Sequence, residues 1–288
     1  MAKREWGVGM LRGNLLVLVV CRCIWMFSVS IPMSFLSLYI VELGGSAVTV
    51  GLVNSIATLT SLFLYPVGGY IADSRGRVKL VGVATAFFAF SFLPFAYAPN
   101  WQTVAVASVL QNLVLFYVPV LTAIQADSIP PGQRGSGFAL TQAIPGAIGI
   151  ASPYVGGYLI DTLGVLDACR LGFFVSFGAA IFVAVLRTFK LTETLNLTRD
   201  SIPLPNVLSL LKASYSSVLE TLKWMPKSLR DLAILQVLYI FFHDLAAPFW
   251  ILYGTRDVIG LSASEWGLLS LVAGALRFTI AIPAGKLI

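Results

Sequence analysis

Long, uninterrupted apolar runs recur along almost the whole chain, and they constrain its fold more than any other feature. Each run has about 19–28 residues, which is enough for a helix to cross a hydrocarbon layer ~30 Å thick. A lipid-facing strand would alternate polar and apolar residues, whereas these runs are apolar on both faces. We therefore predict eight transmembrane helices, at residues 14–41, 47–71, 80–98, 101–125, 136–160, 168–188, 231–254 and 263–288.

The composition agrees with a chain that has lipid as its solvent. Hydrophobic residues make up 58% and charged residues 11% of the sequence, whereas soluble domains carry about 25% charged residues. The net charge of +6 comes from bases between the apolar runs, so we expect a lipid bilayer and no nucleic acid as partner. Cys21, Cys23 and Cys169 follow no disulfide or zinc spacing, and we expect neither a metal nor a cofactor. The predicted fold class is an all-α membrane protein.

The positions of Lys and Arg predict the orientation in the membrane. Almost all of those outside the apolar runs lie in connections on one side, and only Arg170 and Arg256 lie on the other. Because cytoplasmic loops are enriched in these residues, we place the N-terminus in the cytoplasm. The first run is too long for the core of a signal peptide, so we interpret it as a retained span. We expect a multi-pass protein of the plasma membrane.

The longest connection covers residues 189–230 and divides the chain. Apolar residues recur at helical spacing between Asn206 and Trp224, which predicts an amphipathic helix. This helix either lies on the inner surface of the membrane or docks on the cytoplasmic face of the protein itself. We predict a six-helix bundle at 1–188, a cytoplasmic linker at 189–230 and the start of a second bundle at 231–288.

The stretches 35–69 and 249–285 resemble each other. A repeat that begins again after six spans implies two six-helix halves. The second half contains only two predicted spans, so we expect this to be a truncated sequence that lacks about four helices of a twelve-helix parent. The matched residues are Leu38-Tyr39 with Leu252-Tyr253, Gly51-Leu52 with Gly267-Leu268, and Gly69 with Gly285.

The connection after the second span packs one acid and several bases between two glycines. It resembles the signature loop of the major facilitator superfamily, G-x-x-x-D-[RK]-x-G-[RK]-x-[RK], and departs from it at Ser74. The resemblance implies a complete N-terminal six-helix bundle plus the first two helices of a C-terminal bundle. It also implies that a group of loop residues controls gating, namely Gly69, Asp73, Arg75, Gly76, Arg77 and Lys79.

Two further stretches resemble superfamily motifs. The connection that contains Asp127 and Arg134 is similar to the loop between helices four and five, where an acid pairs with a base of the signature loop. The resemblance implies that Asp127 contacts Arg77 and that Asp73 caps a helix of the second half. The fifth span is similar to the G-P-x-x-G-G motif of superfamily antiporters, with Ser152 in place of the first glycine. Its small residues also suit ordinary helix packing; they are Gly149, Pro153, Gly156 and Gly157.

Polar side chains inside the spans are costly in lipid, so each is a candidate for binding or coupling. His243 or Asp244 could carry a coupled proton, or Asp244 could pair with Arg277 or Arg22. The two arginines could instead attract an anionic substrate, and Arg22 could equally reach the membrane surface. The full set of candidates is Arg22, Asn54, Gln111, Asn112, Gln142, His243, Asp244 and Arg277.

Five aromatic residues could line a pocket for an organic solute or could face lipid. They are Trp25, Phe27, Tyr117, Phe242 and Trp250.

The fourth span keeps only Gln111 of the superfamily's R-x-x-Q-G motif. The arginine of that motif is absent here, so we do not expect proton antiport by the route in which it takes part.

The resemblance implies a secondary active transporter rather than an enzyme. Such a protein moves a small organic solute by alternating access, as a permease or an efflux carrier, with a coupled proton or ion as a further candidate partner. A membrane-embedded enzyme or a receptor is the alternative. A single histidine, His243, and scattered acids disfavour an enzyme, and the repeat disfavours a receptor.

Overall fold

The computed structural model describes residues 11–74, 76–195 and 207–287, and every long element within these ranges is a helix. A 3-10 turn at Pro131–Gln133 and a π-turn at Tyr253–Asp257 complete the regular structure. The helices are α1 Asn14–Met33, α2 Leu36–Glu42, α3 Ala47–Ser74, α4 Arg77–Phe90, α5 Phe92–Ala96, α6 Trp101–Val114, α7 Tyr117–Asp127, α8 Arg134–Gly149, α9 Ser152–Leu163, α10 Val165–Lys190, α11 Val207–Trp224, α12 Lys227–Leu252 and α13 Ala263–Leu287.

Four of the predicted spans are pairs of shorter helices rather than single rods. The breaks separate α1 from α2, α4 from α5, α6 from α7 and α8 from α9. Proline lacks the N–H that continues a helix, and its ring collides with the preceding turn. Pro32 lies just before the first break, and the helix after each other break has a proline in its first turn: Pro94, Pro119 and Pro153.

The helical membrane fold is confirmed. Among the described residues, seven segments are long and apolar enough to span a membrane: Asn14–Glu42, Ala47–Gly68, Arg77–Ala96, Trp101–Asp127, Pro131–Leu163, Val165–Lys190 and Lys227–Arg256. The eighth predicted span is a continuous helix, α13, which carries Glu265 and Arg277 and is not among these seven.

A cluster of buried aromatic residues packs helices of the first half against α10. Phe35, Phe92, Phe95 and Phe173 are fully buried, and the Phe95 and Phe173 rings stack with centroids 4.9 Å apart. The buried hydroxyl of Tyr39 donates to the backbone oxygen of Phe95 at 2.8 Å, which satisfies its polar atom inside an apolar core. These contacts hold α2 and α5 against α10.

Helix α9 packs between the two halves by means of adjacent glycines. A Cβ at Gly156 would lie 2.7 Å from the backbone oxygen of Ile31 in α1, and one at Gly157 would lie 2.1 Å from that of Ala263 in α13. From the other side, a Cβ at Gly267 would lie 2.5 Å from the oxygen of Pro153. Such approaches require residues without a side chain.

The internal repeat is visible in the helix bounds. Helix α3 begins at Ala47 and α13 begins at Ala263, so Gly51 and Gly267 occupy the same position in their helices. This pair therefore marks equivalent helices, whereas Tyr39 lies in α2 and its counterpart Tyr253 lies in the π-turn after α12.

Helix α11 contacts the first half directly. The Tyr215 hydroxyl lies 3.5 Å and 3.4 Å from the backbone oxygens of Leu62 and Phe63 in α3. Leu219, Leu222 and Trp224 remain exposed. The contact with α3 favours the interpretation in which α11 docks on the protein over the one in which it rests on lipid alone. The exposed apolar side chains of α11 form a surface that lipid can cover.

Candidate functional site

One end of the helix bundle, which we call the basic end, is held by a network around Arg77. The guanidinium of Arg77 pairs with the carboxylate of Asp127 and donates to the Thr194 hydroxyl at 3.1 Å. The Arg77 side chain is 7% exposed. Glu193 accepts from the backbone N–H groups of Arg77 and Val78, at 2.8 and 3.1 Å, and so caps the N-terminus of α4. The expected contact between Arg77 and Asp127 is therefore present.

A second set of hydrogen bonds at the basic end joins the first and last helices of the first half. The side-chain oxygen of Asn14 accepts from the backbone N–H and the hydroxyl of Thr192, at 2.8 and 2.9 Å. Its amide nitrogen donates to the Thr192 backbone oxygen and to the Ser128 hydroxyl. The segment after α10 thus ties together α1, α4 and α7.

The remaining residues of the signature loop are only partly described. Gly76 precedes α4 with φ −56° and ψ 124°, Lys79 is exposed, and Arg134 is exposed at the start of α8. Gly69 and Asp73 belong to α3, but their side-chain environment lies outside the described residues, as does Arg75 entirely.

The two halves meet closely at the other end of the bundle, which we call the opposite end. The carboxylate of Asp161 accepts from the backbone N–H groups of Ala263 and Ser264, at 3.0 and 2.8 Å. A carboxylate is favoured there because it satisfies free N–H groups and faces the positive end of the helix dipole. Arg256 pairs with Glu42 across the same interface.

A cavity of 160 Å³ lies within the first half and contains two cationic side chains. Arg22 of α1 and Arg187 of α10 line it, together with Trp25, Tyr117, Gln125 and Thr141. The Gln125 amide nitrogen donates to the Thr141 hydroxyl at 2.5 Å. The cavity therefore combines positive charge, neutral polar groups and two aromatic walls.

Arg187 is buried, although a base so near the end of a predicted span would be expected at the membrane surface. Its guanidinium donates to the Thr85 hydroxyl at 2.8 Å and lies 5.7 Å from the centroid of the Tyr117 ring. Its side-chain Nε is buried without a hydrogen-bond acceptor among the described residues. Helix α10 continues to Lys190, so Arg187 lies in its last turn.

A second cavity, of 210 Å³, lies between the halves. Asn54 and Ser37 line it from the first half, and Pro248 and Trp266 line it from the second. The Asn54 amide donates to the Val50 backbone oxygen at 2.9 Å. Of the eight polar candidates predicted from the sequence, Arg22 and Asn54 thus line a cavity.

The other polar candidates of the first half have local roles or face outwards. Gln111 is buried, and its amide nitrogen has no hydrogen-bond partner among the described residues. Asn112 donates to the Ser108 backbone oxygen at 2.9 Å, as polar side chains in spans often do. Gln142 is exposed on α8.

His243 and Asp244 interact with each other rather than with an arginine. The His243 ring Nδ1 lies 2.9 Å from the Asp244 carboxylate, and the ring also packs edge-on against Trp250. The alternative pair of Asp244 with Arg277 or Arg22 is not formed within the described part of the chain, where the Asp244 carboxylate meets His243 and Arg277 is exposed on α13.

The aromatic candidates divide in the same way. Trp25 and Tyr117 line the first cavity, whereas Phe27, Phe242 and Trp250 are exposed. Most of the residues that sequence reasoning missed lie near the ends of apolar runs, where a polar residue is usually attributed to the membrane surface. They are Asn14, Gln125, Thr141, Asp161, Arg187 and Glu193.

These features define a polytopic helical membrane protein with repeated halves and a charged cavity inside one of them. The chain belongs to the Major Facilitator Superfamily, whose family model matches residues 18–288. Members of this family are transporters and not enzymes.

Relatives among known proteins include several drug-resistance proteins. The chain is 25% identical over 167 residues to the multi-drug resistance efflux pump PmrA of Streptococcus pneumoniae, a match that covers 56% of this chain and 40% of the pump. It is 33% identical over 168 residues to the multidrug resistance protein MdtG of Dickeya zeae, with 56% and 39% covered. The chain thus spans about two fifths of the length of these relatives.

Two further matches extend the comparison. The quinolone resistance protein NorA of Staphylococcus aureus is 26% identical over 127 residues, which is 44% of this chain and 33% of that protein. A crystal structure of the peptide transporter POT, a mutant in complex with alafosfalin, has a TM-score of 0.61 at 16% identity and covers 95% of this chain and 68% of that one. The structural likeness supports the same fold.

Proposed function

We propose that the chain is part of a secondary active transporter that moves a small organic solute across the plasma membrane by alternating access. The observation that carries this proposal is a charged, aromatic-walled cavity within a bundle whose two halves pack closely at the opposite end. Two halves that rock about a cavity between them, here the one lined by Asn54 and Trp266, expose it to each side in turn.

The distribution of charge supports placing the basic end in the cytoplasm. On this assignment the described conformation is closed towards the outside, because Asp161, Gly157 and the pair of Arg256 with Glu42 join the halves there. The three regions 1–188, 189–230 and 231–288 then act as a complete bundle, a cytoplasmic linker and the start of the second bundle.

The two ends of the bundle would have different roles in gating. The network of Arg77, Asp127 and Glu193 ties the helices of the first half into a unit that moves as one body. The contacts of Asp161 and Gly157 join different halves and must break when the outer side opens. Asp73, Arg75 and Lys79 of the signature loop, together with Arg134, are proposed to complete the inner gate.

The named relatives favour export of organic compounds over uptake. One of them is named for multi-drug efflux and another for quinolone resistance. The adjacent pair of His243 and Asp244 is a candidate for coupling to protons, because the imidazole Nδ1 lies 2.9 Å from the carboxylate and a proton can be shared between them.

Transport by reconstituted vesicles tests the proposal. We expect the complete transporter that contains this chain, in proteoliposomes, to accumulate a fluorescent quinolone when a pH gradient is imposed, and a Gly157→Ala variant to lose this activity. Gly178→Ala is the matched control, since a Cβ at Gly178 would meet no atom within 4 Å. Accumulation no greater than in protein-free liposomes, for every probe and either gradient direction, would contradict the proposal.

A further inference from the structure

We infer that the cavity between Arg22 and Arg187 binds the anionic group of a small organic solute, a carboxylate or a similar oxyanion, and holds its apolar body against Trp25 and Tyr117. The inference rests on the proposed transport function and specifies the class of substrate. It depends on three features of the cavity, which are its charge, its unsatisfied donors and its size.

The charge of the cavity is positive and has no internal counterion. Arg22 and Arg187 both line it, and none of the side chains around it is acidic. Within the described part of the chain, neither arginine forms an ion pair with a carboxylate, whereas Arg77 at the basic end does. An unpaired charge in a low-dielectric interior is costly, and a bound anion would offset that cost.

Arg187 is held in place but retains donors for a ligand. Thr85 accepts from its guanidinium and donates its own hydroxyl to the Val81 backbone oxygen at 2.6 Å, which fixes the orientation of the threonine. The Tyr117 ring packs beside the guanidinium. An arginine has five N–H donors, and the Thr85 hydroxyl accepts from one terminal nitrogen of Arg187, which leaves other terminal donors for a ligand. A fixed guanidinium with free donors suits a carboxylate, which can accept two parallel hydrogen bonds.

The size of the cavity restricts the solute. Pockets for drug-sized ligands have volumes of roughly 300–1,000 Å³, and this cavity has 160 Å³. Trp25 and Tyr117 offer ring faces, and the Gln125–Thr141 pair offers neutral polar atoms. A carboxylate on a single ring fits this combination of charge, aromatic surface and volume.

The phosphate of an anionic lipid shares the chemistry of such a solute. Nanodiscs that contain only phosphatidylcholine lack a net anionic headgroup, so binding measured in them reports the soluble anion. The same measurement with phosphatidylglycerol added then separates the two sources.

The test is equilibrium binding of radiolabelled benzoate to the purified full chain in phosphatidylcholine nanodiscs, with benzamide as the uncharged competitor of similar shape. We expect saturable binding that benzamide displaces at least tenfold less well than unlabelled benzoate. We expect Arg22→Gln and Arg187→Gln each to weaken binding at least tenfold. Arg170→Gln is the matched control, because Arg170 belongs to α10, as Arg187 does, but donates to the Ala98 backbone oxygen and does not line the cavity; this variant should bind within twofold of wild type.

Four results would overturn the inference: no saturable benzoate binding to the wild-type chain, equal competition by benzamide, unchanged binding by Arg22→Gln, or loss of binding when phosphatidylglycerol is added. Arg187 is buried, so its variant could unfold; the half-exposed Arg22 provides the independent variant. A protein that accumulates a quinolone but binds no benzoate would contradict this inference alone. A chain that binds benzoate but moves no probe would contradict the proposed transport alone.

Discussion

At the scale of single residues, the contacts of a charged side chain depend on partners that are remote in the sequence. Arg187 and Thr85 are 102 positions apart, and Asp161 and Ala263 are also 102 apart. Each of these charges lies near the end of an apolar run, so hydropathy alone assigns it to the membrane surface. Only the packing of distant helices reveals that Arg187 lines a cavity and that Asp161 caps a helix of the other half.

The pair of Arg77 with Asp127 is expected to stabilise the first half. Replacing Arg77 by Gln removes a side chain that is 7% exposed and leaves Asp127 without its partner. We expect a loss of roughly 1–3 kcal/mol in stability, the usual cost of breaking a partly buried polar contact. Thermal unfolding can be followed with a thiol-reactive dye, because Cys21 and Cys169 are buried in the folded chain.

Lys79→Gln is the control for this variant, since Lys79 belongs to the same helix but is exposed. Its unfolding temperature should stay close to that of wild type. An equal decrease in both variants would show that the loss of positive charge, and not the loss of the contact, is responsible.

Asp161→Asn should shift the protein towards the conformation that is open at the opposite end. The substitution removes a negative charge from the N-terminus of α13. The interaction of that charge with the helix dipole stabilises the closed state by about 1 kcal/mol, so its loss should change the ratio of closed to open molecules about fivefold. The distance between spin labels at Tyr97 and Val258, both exposed, measures this ratio once the native cysteines are replaced. Asp167→Asn, at an exposed carboxylate, should leave the distribution unchanged.

At the scale of helices, the sequence predicts the existence and approximate bounds of the spans because apolar length is a local property. It does not predict their breaks equally well. Pro32 and Pro153 are visible in the sequence, yet whether a proline kinks a span or interrupts it depends on which neighbouring groups satisfy the freed carbonyls. The contact of Arg77 with Asp127 was predictable only through the resemblance to a family, since nothing local relates the two residues.

A methyl group added at Gly157 of α9 should change the conformational equilibrium, whereas one added at Gly156 should change the stability. At Gly157 the methyl would collide with the Ala263 backbone oxygen, so Gly157→Ala should separate α9 from α13 and raise the open population between the labels at Tyr97 and Val258. At Gly156 the methyl would collide with Ile31 in α1, which belongs to the same half, so Gly156→Ala should lower the unfolding temperature. A variant at Gly157 with a wild-type distance distribution would contradict this division.

At the scale of the whole molecule, the closed opposite end predicts access to the cavity from one side only. Thr122 lines the cavity and is exposed. A membrane-impermeant thiol reagent should therefore label Thr122→Cys rapidly in inside-out vesicles and slowly in intact cells, if the basic end is cytoplasmic. Val258→Cys, exposed at the opposite end, should give the reverse preference. Equal labelling of Thr122→Cys from both sides would contradict the closed state.

On the proposed transport cycle, the two arginines that line the cavity of the first half should make the protein responsive to voltage. A unit charge that crosses the full membrane field gains or loses ~2.3 kcal/mol per 100 mV, so even a short displacement of Arg22 and Arg187 during rocking is a measurable electrical event. With the basic end in the cytoplasm, a negative interior draws these charges inwards and favours the conformation in which the cavity opens there. A bound monovalent anion cancels half of that charge, so the resting potential would act most strongly on the empty protein and set the rate at which it returns for the next solute.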